Sequence, residues 1–69
     1  MRWEEVVGMN IRQVRLQKGV SQEEVAHRVG IDAGYFGQIE RGKRNPTIAV
    51  LGRIADALDV PLERLIVRA

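Results

Sequence analysis

Apolar residues recur along this chain at helical spacing rather than in alternation. Trp3, Val7, Ile11 and Val14 form one stripe and predict a first helix over residues 3–18. Arg12, Gln13, Gln17 and Lys18 take its other sides. Val25 and Val29 share a face of a second helix, where Ala26 is small enough for another helix to cross closely. Phe36 and Ile39 turn a third helix inward, leaving Ala33, Gly34, Gly37 and Gln38 on its other face. Ile48, Leu51, Ile54, Ala55 and Leu58 stripe a fourth. Leu62, Leu65 and Ile66 mark a short fifth, which Val67 extends.

Polar and small residues punctuate this pattern. Ser21 followed by Glu24 is a capping box, in which the hydroxyl accepts from an amide and the carboxylate reaches back. Asp32 and Thr47 are N-caps for the third and fourth helices. Gly19 and Gly30 end the first and second helices, and Ile31 plugs the turn after Gly30. Pro46 forbids helix at Asn45, Asp59 and Val60 are a break, and Pro61 suits the first position of the last helix. Gly8 costs about 1 kcal/mol in a helix interior relative to alanine, so its presence points to close approach by another helix.

Composition narrows the class. With 69 residues and 45% hydrophobic content, the chain reads as one all-α domain spanning 1–69. It has no cysteine, so helix packing, and a partner subunit, must stabilise it. Net charge is only +2, but its distribution is uneven: Arg41, Lys43 and Arg44 fall in four positions directly after the third helix, and the acids cluster elsewhere. That asymmetry suits a polyanion on one face. No leader and no membrane-spanning apolar run are read, so a cytoplasmic protein is expected.

The single histidine, His27, has no cysteine or second histidine to build a metal site with, and no spacing arranges a nucleophile with it. Ser21 is used as a cap, and Asp56 and Asp59 read as helix-surface charges. An enzyme is not expected, nor is a cofactor, metal or small-molecule ligand.

Residues 21–41 therefore hold two short helices joined by a tight turn, followed by a basic loop. In such a unit the first helix braces on a DNA backbone and the second lies in the major groove. With these residues in hand, the chain resembles the XRE-type helix-turn-helix family of phage repressors and Cro proteins. The resemblance covers residues 11–65, and QIERGKRNP at 38–46 is its most specific piece. The smallest members, such as restriction-modification controller proteins, are the most similar in organisation. The family implies a compact five-helix, lambda-repressor-like fold, homodimerisation and a palindromic operator on double-stranded DNA.

Matched position by position, the resemblance implies base contacts by Gln38, Ala33 and Gly34. Glutamine can bond bidentately to adenine, Ala33 can touch a thymine methyl, and Gly34 lets backbone approach closely. With two of the three lacking a polar side chain, shape readout must supply part of the specificity. Gln22, at a helix N-terminus, matches a phosphate contact. Arg41, Lys43, Arg44 and Asn45 match a phosphate-gripping loop, and Tyr35 either donates its hydroxyl to a phosphate or covers the core edge. Arg15 and Glu40 match an internal ion pair between the first and third helices.

Trp3 either closes the core beside the fifth helix or joins a subunit interface with Val50, Leu62, Ile66 and Val67, which are more apolar than a small monomer needs. The principal alternative function is a protein-interaction module on the same fold, an antitoxin or adaptor with partner-dependent DNA binding. The small residues 33, 34 and 37 keep that alternative open; Gln22 and the basic loop favour DNA.

Overall fold

The computed structural model describes residues 1–68. Five helices and no strand are found among them: α1 (Trp3–Lys18), α2 (Gln22–Val29), α3 (Ala33–Glu40), α4 (Ile48–Leu58) and α5 (Glu63–Ile66). No helix among the described residues is long and apolar enough to cross a membrane.

Local chemistry sets most of the boundaries. The Ser21, Asp32 and Thr47 side chains accept from the amides of Glu24, Tyr35 and Val50 at 3.0, 3.1 and 3.2 Å. Only half of the expected capping box forms at Ser21, because the Glu24 carboxylate pairs forward with Arg28 instead. After α1, the amides of Gly19 and Val20 donate back to Leu16 and Arg15 at 3.2 and 3.3 Å, with Gly19 left-handed. Those two bonds satisfy carbonyls that a helix end otherwise leaves without partners. The same closure ends α4, but there Asp59 takes the left-handed conformation.

The core is one cluster. Ile11, Val25, Phe36, Ile54 and Leu65, one from each helix, are fully enclosed, with Val14, Ile39 and Leu58 beside them. α1 lies against α3 and α5, and α2 against α3 and α4. Gly8 lies where α1 meets the end of α3: an added Cβ would stand 2.6 Å from the Glu40 carbonyl oxygen and nearer still to that of Ile39.

Several expectations are corrected. Trp3 does not close the core; it is 54% exposed, with the Arg68 guanidinium over its ring at 4.0 Å. Ile48, expected in the α4 stripe, is 65% exposed. Both are the first residue of their helix, where the Cα–Cβ bond tilts back past the helix end and away from the packed layer. Val67 does not extend α5 but is extended, and α5 begins after Leu62 rather than at Pro61. Buried Val6 and Asn10 were not foreseen. The Asn10 amide donates to the carbonyls of Leu65 and Val67 at 3.0 and 2.7 Å, fastening the C-terminal segment to α1.

Candidate nucleic-acid interface

The α2–turn–α3 unit is held from beneath by a buried carboxylate. Glu40, the last residue of α3, has a side chain 1% exposed. Arg15 of α1 donates to it twice, Nε to Oε2 at 2.6 Å and Nη2 to Oε1 at 3.2 Å. Arg15 Nη1 also donates to the Val20 carbonyl at 2.9 Å, tying in the turn before α2. Burying a carboxylate is costly unless such donors surround it, so this cluster fixes the ends of three segments together.

Glu40 also receives a hydrogen bond from Gln22, Nε2 to Oε1 at 2.9 Å. Gln22 opens α2, and its half-buried side chain is thereby drawn across to the end of α3. Arg12 of α1 brings its guanidinium to 3.8 Å from the same Glu40 oxygen.

The outward side of α3 is smaller than the sequence suggested. Gly37, expected on that face, is buried. The Arg41 guanidinium and the Gln22 amide cover it, with atoms 3.3 to 3.7 Å from where a Cβ would stand. Ala33 and Tyr35 are partly buried, packed against the core. Gly34 is exposed and Gln38 half-buried. These two and the rim of Gln22 are what the unit presents beside the loop.

The loop is shaped by Gly42. Its φ of 74° is open to glycine at little cost, and an added Cβ would also stand 3.0 Å from Glu5 Cα. The amides of Gly42 and Lys43 donate back to Ile39 and Gln38 at 3.0 and 2.9 Å, reversing the chain over the end of α3. Arg41, Lys43, Arg44 and Asn45 are all exposed there. Arg44 returns alongside α3, and its Nε donates to Gln38 Oε1 at 2.6 Å. Nothing in the spacing of six residues signals that bond, because it depends on the reversal at Gly42.

The residues expected between subunits fall in two classes. Trp3, Ile66 and Val67 are exposed, whereas Val50 and Leu62 are partly buried against the core.

Comparison with known proteins agrees with this architecture. A helix-turn-helix family model, HTH_3, matches residues 11–65. An HTH-type transcriptional regulator of Sinorhizobium fredii, y4dJ, is 46% identical over 55 residues, covering 80% of this chain and 71% of its own. The crystal structure of the restriction-modification controller protein C.AhdI from Aeromonas hydrophila superposes with a TM-score of 0.87 at 37% identity, over 90% of this chain and 94% of that one. A structure of another such controller, C.Esp1396I, gives 0.84 at 37% identity, over 96% and 93%. The chain belongs to the XRE-type helix-turn-helix family, HTH_3, and carries the DNA-binding domain of transcriptional regulators.

Proposed function

We propose that this protein is a cytoplasmic, sequence-specific transcriptional regulator that binds a palindromic operator as a homodimer. The observation that carries the reading is the joint placement of Gln22, the Gly34 and Gln38 side of α3 and the exposed cations of residues 41–44 around one unit braced by Glu40. In this reading Gln38 and Gly34, with Ala33 at the edge, meet base edges in the major groove. Gln22, Arg41, Lys43 and Asn45 hold phosphates, which set register without carrying sequence information. Tyr35, partly buried, contributes its hydroxyl at the margin of the same surface.

The dimer contact is a two-fold, self-complementary surface that includes Trp3, Ile66 and Val67, with Val50 and Leu62 supporting it from the core side. Two copies then set their α3 helices about one DNA turn apart, roughly 34–36 Å. Selection of bound duplexes from a random pool by the purified protein tests this. A palindrome with half-sites one turn apart is the expected product; salt-sensitive binding with no enriched sequence overturns the reading.

A further inference from the structure

More donors surround the buried Glu40 carboxylate than it can accept. We infer that Arg12 of α1 holds a DNA backbone phosphate together with Gln22 and Arg41, so that the contact surface extends beyond the α2–turn–α3 unit onto α1. The inference deepens the DNA-binding reading above and rests on it.

Glu40 Oε2 accepts from Arg15 Nε at 2.6 Å. Oε1 accepts twice, from Arg15 Nη2 at 3.2 Å and from Gln22 Nε2 at 2.9 Å. A carboxylate oxygen has about two lone-pair sites, so Oε1 is filled. Arg12 Nη1 stands 3.8 Å from that oxygen, too far for a hydrogen bond. Charge draws Arg12 to this place, but its N–H groups are not consumed there. The two guanidiniums beside the carboxylate also differ in burial: the Arg15 side chain is 8% exposed and that of Arg12 56%. One negative charge thus faces two positive ones, and the excess is on the exposed Arg12. Arg41 adds to it. Its Nη1 and the Gln22 amide lie together over Gly37, 3.3 to 3.7 Å from where a Cβ would stand. Gln22 therefore stands between Arg12, which it meets at Glu40, and Arg41, which it meets at Gly37. Its amide has a second N–H beyond the one given to Glu40. Two guanidiniums and an amide N–H converge on this corner, and the group that complements them is an anion with several acceptor oxygens. On a duplex that group is the backbone phosphate, which the planar fork of arginine fits.

If Arg12 served only as a further counter-charge to Glu40, its loss would act on stability and not on the salt dependence of DNA binding. The experiment is titration of a duplex of arbitrary sequence at several salt concentrations with the wild type, Arg12→Gln, Arg12→Lys and Arg64→Gln, below the thermal midpoint of each. Arbitrary sequence suffices because a phosphate contact weakens all duplexes alike. Each phosphate neutralised contributes about 0.9 to the slope of log affinity against log salt. Arg12→Gln should reduce the magnitude of the slope by about that amount, and Arg12→Lys, which keeps the charge, should restore it. Arg64→Gln makes the same change in net charge on α5, which packs on α1 and α4, and should leave the slope as it is. Two outcomes overturn the inference while leaving the regulator reading intact: a slope unchanged in Arg12→Gln, whatever its thermal midpoint, or an equal loss of slope in Arg64→Gln. Failure of the wild type to bind duplex in a salt-dependent way overturns both together.

Discussion

Arg15 and Glu40, 25 residues apart, meet through two hydrogen bonds with both side chains nearly out of water. The pair links α1 to the end of α3, so it sets where α3 stands relative to the rest of the fold. Its geometry also explains why Gln22 lies where it does, since the same carboxylate receives the Gln22 amide.

Glu40→Ala should therefore lose about 3–5 kcal/mol, because it leaves Arg15 buried without its counter-charge. In a domain of this size that lowers the thermal midpoint by more than about 12 °C. Replacing both partners with apolar residues, Arg15→Met with Glu40→Leu, should cost less than the single change, since no uncompensated charge is left behind. Thermal or urea melts of the three proteins check this, and an unaltered midpoint for Glu40→Ala would contradict the role given to the pair.

Gly8→Ala separates helix propensity from packing. In an exposed helix the change gains about 1 kcal/mol. Here the new methyl meets the backbone carbonyls of Ile39 and Glu40, which have no rotamer to escape into. Overpacking of this kind costs about 1–3 kcal/mol, so the expected sign is destabilising. A urea midpoint at or above that of the wild type would show that α1 and α3 can move apart without loss.

How far the sequence could be read follows from what each residue depends on. Ser21, Asp32 and Thr47 were legible because a cap bonds an amide three residues away. The stripes of α1 and α4 were legible as angles around a helix, but angle says nothing about height along the axis. Trp3 and Ile48 have the right angle and stand above the packed layer. Gly37 was placed outside because its cover, Gln22 and Arg41, arrives from another helix and from the loop. Asn10 gave no signal at all, since its acceptors lie 55 and 57 residues further on. The bond between Gln38 and Arg44 was hidden for the same reason on a smaller scale: it exists only once Gly42 has reversed the chain.

Asp59 is the one non-glycine residue with positive φ among those described, at 59°. It closes α4 through its own amide and that of Val60, bonds that need only the backbone. Asp59→Gly removes a left-handed side chain that costs about 1–2 kcal/mol, and a negative charge at a helix C-terminus worth about 0.3–1 kcal/mol. Greater freedom of glycine in the unfolded chain offsets about 0.4–1 kcal/mol of this. The net expectation is a gain of about 1 kcal/mol, read as a higher urea midpoint. Asp59→Ala should move it the other way, because alanine keeps the Cβ and lacks the side-chain oxygen that eases aspartate into this conformation.

Lys43 tests the electrostatic part of the interface. It is exposed on the loop after α3, and a lysine there acts on DNA as a point charge rather than by shape. Each phosphate neutralised contributes about 0.9 to the slope of log affinity against log salt. Lys43→Ala should reduce the magnitude of that slope by about 1 for operator and unrelated duplex alike, with base selection unchanged. Gln38→Ala should do the reverse, altering selection at one base pair while the slope holds. Titrations of both variants at several salt concentrations, on two duplexes, place each residue on one side of that division. A slope unchanged by loss of Lys43 would move the phosphate grip to Arg41 and to the amides at the start of α2.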